Sequence, residues 1–178
     1  MTILNTLVSR HPDLAPEIQS LAPKLTPQTA LQAISKLEHT LHTSFPYGGD
    51  KTGEYAYSRV HVPYTALLTA ITDYTRHFLP PQAPESPPEF LAFLDGVSSV
   101  LERVPVFANP IHNLGRDAVA AETVSAWEVG VRWFLEVNGA FAFGLGGWLE
   151  KIERHAEKDA GLRRVVDTVR EQISWINQ

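Results

Sequence analysis

The sequence predicts an all-α protein, a single helical bundle of about six main helices. Three observations carry this expectation. Apolar residues recur at the 3.6-residue period along most of the chain. No segment sustains the apolar-polar alternation of a half-buried strand. Proline- and glycine-rich stretches at 45–53, 80–88, 105–115 and 140–147 cut the chain into pieces of helix length joined by short connections. At 178 residues the chain can bury a real core, and one domain is the natural size.

Taken in order, Ile3, Leu4, Leu7 and Val8 form the apolar face of a short helix that stops at His11-Pro12, since a residue before proline is pushed out of the α region. Leu14, Ile18 and Leu21 mark a second short turn before Pro23. Thr26 followed by Pro27 is an N-cap with proline at the first helical position, and Ala30, Leu31, Ile34, Leu37 and Leu41 continue one face. After the turn at 45–53, Tyr55, Val60, Tyr64, Leu67, Leu68, Ile71, Tyr74 and Phe78 predict a long helix. Pro63 predicts a kink or break within it near 59–62.

Ser86 with Glu89 three residues later is a capping box, and Pro87 stands at the tolerated first-turn site. Phe90, Phe93, Leu94, Val97, Val100, Leu101 and Val104 then form a buried side that ends at Pro105. A long helix is expected over about 116–138, with Val119, Trp127, Val131, Phe134 and Leu135 inward and Asn138-Gly139 as its stop. Two last stretches follow, one with Leu149 and Ile152 and one with Leu162, Val165, Val166, Val169, Ile173 and Ile176. Gly161 is expected to separate or bend them.

Composition narrows the function. Apolar residues at 44% and charged residues at 20% suit a folding chain and not a disordered one. A net charge of -5 argues against a broad nucleic-acid surface, which needs a basic excess. The lack of cysteine removes thiolate catalysis, thiolate zinc sites and disulfides, and suits a reducing compartment such as the cytosol or nucleus. The first residues lack the pattern of a signal peptide, and no apolar run is long enough to span a bilayer, so neither secretion nor membrane spanning is expected.

No catalytic constellation is legible, no cofactor is implied, and no enzyme is expected. His39 and His42 share a helix face but want a third ligand, so no metal site is expected. The FGLGGW string at 143–148 follows no strand and lacks the lysine of a phosphate loop. Ser9, Ser20, Ser35, Ser44 and Ser58 have no nucleophile-elbow context. The interleaved charges over 150–171 read first as a self-paired, solvated face. Within them the adjacent Arg163 and Arg164 are candidates for an acidic partner or anionic lipid.

The most unusual stretch, GEYAYSRV at 53–60, sets Tyr55, Tyr57 and Arg59 at alternate positions that cannot share one helix face. They read first as a network anchoring the turn and second as a recognition patch.

These strings also carry a resemblance. HPDLAPEI from His11, FPYGG from Phe45, EYAYSRV from Glu54, and the later FLDGV and GGW resemble the fungal nuclear-proteasome tethering factors of the Cut-eight/Sts-one type, over about residues 4 to 175. The resemblance implies a bundle likened to the 14-3-3 fold and a non-enzymatic adaptor that holds proteasomes in the nucleus or at the nuclear envelope, with the cytoplasm as a further location. Its implied partners are the proteasome, membrane lipid or a nuclear-envelope protein, an import receptor, and a second copy in a homodimer; nucleic acid is not among them. Residues 1–25 would be a remnant of the dimerisation region and 26–178 the bundle core.

Members of that family carry a lysine-rich N-terminal arm. Lys24, Lys36, Lys51, Lys151 and Lys158 are scattered, so the expectation is a core bundle without the arm, whose proteasome contact would be indirect. The alternative is a bundle that holds a lipid or small apolar ligand between helices, near Trp127, Phe134, Phe141 and Phe143.

Overall fold

The computed structural model describes residues 25–81 and 86–174, with side chains as far as residue 172. The short helices predicted before residue 25 lie outside the described residues, as do the side chains of Ile173 and Ile176. Six α-helices and one 3-10 turn make up the described chain, and no strand occurs among these residues: α1 (Pro27–Thr43), α2 (Glu54–Phe78), α3 (Pro87–Leu101), the 3-10 turn Pro110–Asn113, α4 (Leu114–Leu145), α5 (Trp148–Ala156) and α6 (Ala160–Ser174).

Local chemistry sets the starts of the helices. At α1 the Thr29 backbone N–H donates to Thr26 Oγ1 at 3.2 Å and the Thr26 N–H donates to Thr29 Oγ1 at 2.9 Å, so two otherwise orphaned donors are satisfied reciprocally. At α3 the Glu89 carboxylate accepts from the Ser86 backbone N–H at 3.0 Å and from its hydroxyl at 2.9 Å. That contact holds the Glu89 carboxyl below its ordinary pKa.

The core forms around α3, which packs against α1, α2, α4 and α5. Its Phe90, Leu91, Phe93, Leu94 and Val97 have no exposed surface, so it is buried on more than the single face the periodicity predicts. Burial of each such side chain contributes about 1.5–3 kcal/mol. Close approach of α4 depends on Gly130, where an added Cβ would stand 3.0 Å from the Phe90 ring and 3.1 Å from Leu91.

Three sequence expectations are corrected. First, of the kink or break expected at Pro63, the break does not occur: α2 continues through it. Proline removes only one backbone bond, and the buried Ala56, Val60, Tyr64 and Leu67 hold the helix to the core on both sides of it. Second, the chain bends at Gly139 as expected, with φ 79° and ψ 163°, but 140–145 then adds a further helical turn instead of a loop. Third, Gly161 sits within α6, and the break between the last helices falls at 157–159. The glycine serves packing there, because a Cβ would stand 2.9 Å from Val124 on α4.

Candidate functional site

The turn before α2 is built by Asp50, whose carboxylate accepts from the Thr52 hydroxyl at 2.6 Å and from its N–H at 2.8 Å. The Thr52 carbonyl in turn accepts from the Ala108 N–H at 2.9 Å, which ties the turn to the 105–109 loop. That loop is clamped by Asn113. Its amide accepts from the Phe107 N–H and donates to the Phe107 carbonyl, both at 2.8 Å and both buried, as a strand partner would.

This frame divides the tyrosine motif. Tyr57 is half-buried and stacks on His112, with ring centroids 3.6 Å apart and planes 10° apart, and meets the Phe107 ring edge-on at 5.0 Å. His112 Nε2 lies 2.8 Å from Glu54 Oε2, so stack and turn form one structural unit. Tyr55 and Arg59 point the other way. Both are exposed, and with the exposed Val62 they fall at i, i+4 and i+7 on the outer face of α2. Tyr57 therefore belongs to the network that anchors the turn, whereas Tyr55 and Arg59 lie outside it on the surface.

The basic pair is divided as well. Arg163 Nε donates to the Ala156 carbonyl at 3.3 Å and so closes the C-terminal end of α5, where a cation is favourable. Arg164 lines a cleft of about 690 Å³ between α4 and the α5–α6 turn. Of the two histidines on α1, His39 is exposed and His42 stands 3.8 Å from Glu38. No group of three metal-binding side chains occurs among the described residues.

Beside this cleft lies a cluster that the sequence did not disclose. His155, only 2% exposed, has Nε2 at 2.8 Å from Asp95 Oδ1 and Nδ1 at 2.5 Å from Glu102 Oε1. Arg154 donates to Asp95 at 2.6 Å, Lys151 stands 3.7 Å from it, and Lys158 donates to Glu102 at 2.5 Å. Burial works against a charged imidazole, but hydrogen bonds and charge from both carboxylates outweigh it and hold the His155 pKa above 6.5. The hydrogen bond from His155 pulls Asp95 below its ordinary value. Burial pushes Glu102 the other way, yet Lys158 and His155 bring it below its ordinary value too.

The raised pKa favours the protonated ring, in which both N–H groups donate to carboxylates. The nearby Ser98 hydroxyl is occupied as acceptor for Trp127 Nε1 at 3.0 Å. The cluster clasps α5 to α3. Asp95 and Glu102 lie seven apart and so share a face of α3. That spacing was visible in the sequence, but their partner His155, 53 residues beyond Glu102, was not.

The aromatics proposed to hold an apolar ligand are also separated. Trp127, Phe134 and Phe143 are in the core, whereas Phe141 is 75% exposed. Neither the α4–α6 cleft nor a smaller groove of about 440 Å³ between α2 and α4 is lined by any of the four.

The amino-acid sequence of this bundle matches a known family. The sequence model of the family described as Cut8, nuclear proteasome tether protein, covers residues 1–174. The chain belongs to the Cut8 family. It is similar to the tethering factor for nuclear proteasome sts1 of Pyrenophora teres f. teres (strain 0-1), with 34% identity over 175 residues. The aligned region covers 98% of this chain and 56% of that relative. The Cut8 family is one of tethering factors and not of enzymes, as the absence of a catalytic motif in the sequence led one to expect.

Proposed function

We propose that this chain is the folded, non-enzymatic bundle of an adaptor that holds proteasomes in the nucleus. The match to the Cut8 family across residues 1–174 carries the proposal, and the commitment of the buried charged groups to interhelical contacts supports it. Binding energy at the surface, not chemistry, does the work. Tyr55 and Arg59, with the rim of Tyr57, form one contact patch, and Arg164 with Arg163 behind it forms a second. The import receptor and the second copy implied by the resemblance enter as partners of the whole protein, through its N-terminal region.

A separate observation supports the reading that the bundle docks on a membrane or nuclear-envelope surface. Val137, Phe141 and Leu145 are 61%, 75% and 74% exposed on the two sides of the bend at Gly139, large apolar side chains that the fold leaves uncovered. No helix among the described residues is long and apolar enough to cross a membrane, so this contact lies on the surface.

The test is capture and localisation. The tagged chain retains proteasomes from a nuclear extract, and deletion of its gene moves proteasomes out of the nucleus. A chain that captures none, with nuclear proteasomes unchanged after deletion, refutes the proposal. Phe141→Asp with Leu145→Asp abolishes co-sedimentation with liposomes if these side chains dock on membrane; unchanged sedimentation removes that step.

A further inference from the structure

The sequence holds one Asn-Gly step, Asn138-Gly139, and it falls at the bend of α4. In such a step the peptide nitrogen that follows the asparagine reaches the side-chain amide with least hindrance, because glycine puts no Cβ beside it. The two other asparagines among the described residues are protected in different ways. Asn109 is followed by Pro110, which has no N–H to give up, and its amide oxygen accepts from the Ile111 N–H at 3.1 Å. Asn113 is buried, and its amide is held by the N–H and the carbonyl of Phe107.

Asn138 has none of these restraints. Its side chain is exposed and has no hydrogen-bond partner among the described residues. A Cβ added to Gly139 would meet nothing within 4 Å, so the space around the peptide is open. Gly139 has left the helical conformation, with φ 79° and ψ 163°, so Asn138 ends one helical piece and no continuing ladder grips its backbone. The surroundings give the step its consequence. No charged residue lies between Glu136 and Glu150, and Asn138 carries the only side-chain amide of that stretch. The exposed Val137, Phe141 and Leu145 belong to the same stretch.

We propose that Asn138 is a site of spontaneous deamidation, which sets a carboxylate among these apolar side chains and so weakens their hold on a lipid surface as the protein ages. The Gly139 nitrogen attacks Asn138 Cγ and the new N–C bond closes a succinimide ring. The Cγ–Nδ2 bond breaks, and the Gly139 amide proton leaves with Nδ2 as ammonia. Solvent water then opens the ring at either carbonyl. Attack at Cγ gives aspartate on the original backbone, whereas attack at the backbone carbonyl gives isoaspartate, whose main chain runs through Cγ. Nothing is oxidised or reduced. Either product is ionised at neutral pH, and a carboxylate is costly to take out of water against acyl chains. The inference rests on the membrane-docking reading and names what regulates that contact.

The test ages the intact chain at pH 8.5 and 37 °C, digests samples at acid pH, and reads the mass change from amide to acid at each asparagine. Labelling by isoaspartyl methyltransferase counts the isoaspartate. Fresh chain, aged chain, Asn138→Asp and aged Asn138→Gln are then sedimented with neutral phosphatidylcholine vesicles, with circular dichroism as the check on folding. Asn138 is expected to convert at least about tenfold faster than Asn109 and Asn113. The aged chain and Asn138→Asp should sediment at least about threefold less than the fresh chain, while aged Asn138→Gln keeps its sedimentation. Conversion no faster at Asn138 than at the other two, or sedimentation unchanged by conversion, overturns the inference. A fresh chain that does not sediment overturns it through the docking reading instead, and the mass record at Asn138, which needs no vesicle, tells that failure from a failure of the chemistry.

Discussion

Replacement of His155 by glutamine tests the clasp between α5 and α3 most directly. In the native protein both imidazole nitrogens face carboxylates, at 2.8 Å and 2.5 Å, and only the protonated ring can donate to both. Glutamine can donate to these carboxylates but carries no charge, so Asp95 and Glu102 lose their shared cation and keep only Arg154, Lys151 and Lys158 at their outer edges. Breaking a buried pair by removing one partner costs about 3–5 kcal/mol. Because Asp95 and Glu102 retain 21% and 19% exposure, the lower end, about 3 kcal/mol, is expected near pH 6.

The pH dependence has a definite sign. The folded His155 pKa lies above 6.5, so its stabilisation is fully present below pH 6.5 and is lost as pH rises through the folded value. Between those two values the slope approaches about 1.4 kcal/mol lost per pH unit. Asp95 and Glu102 are lowered, so their contributions are present above about 3.8 and 4.5 and are lost as pH falls through their lower folded values. Urea unfolding of the native protein and of His155→Gln at pH 5.5, 6.5, 7.5 and 8.5 measures the difference. It should be largest at the acid end of this series and shrink as pH rises. A difference that is flat across the four pH values, or a native His155 ring that titrates below 6.5 by NMR, refutes the clasp.

Asn113→Ala leaves the buried Phe107 N–H and carbonyl without partners and is expected to cost about 2–4 kcal/mol, read as a lower urea midpoint. Trp127→Phe removes the buried bond to Ser98 and is expected to destabilise by about 1–3 kcal/mol, with the loss reduced when Ser98 is changed to alanine in the same chain. Gly139→Ala meets no atom within 4 Å, yet should lower stability by about 1–3 kcal/mol because φ 79° with ψ 163° is a glycine conformation; an unchanged thermal midpoint would show that the bend is not needed.

Much of the helical plan was legible because it is written locally. Thr26-Pro27 and Ser86-Pro87 with Glu89 are cap chemistry within four residues, and the apolar period of 90–104 needs no knowledge of the partner helix. Pro63 does not break its helix, because its cost is local while its remedy, a buried face on both sides, is tertiary. Gly161 misled for a related reason. As a residue of low helix propensity it reads as a break, yet its smallness serves α4, whose Val124 lies 37 positions earlier.

The candidate site was less legible, because what a side chain does depends on which contacts are already made. Arg163 and Arg164 are identical and adjacent, but 100° of helical rotation turns one toward the end of α5 and the other into the cleft. Tyr55 and Tyr57 are separated in the same way, into an exposed side chain and a stacked one. For a bundle proposed to work by holding, the informative residues are the cations and apolar groups left without an internal partner once packing has taken its share. Sequence alone cannot identify those, since pairs such as Arg103 with Glu38 and Arg76 with Glu122 are 65 and 46 residues apart. The same reasoning makes Arg164 the sharper choice for mutation than Arg163. Changing Arg163 removes a helix-end contact and mixes stability with binding, whereas changing Arg164 leaves every described internal contact in place and alters only what the cleft presents.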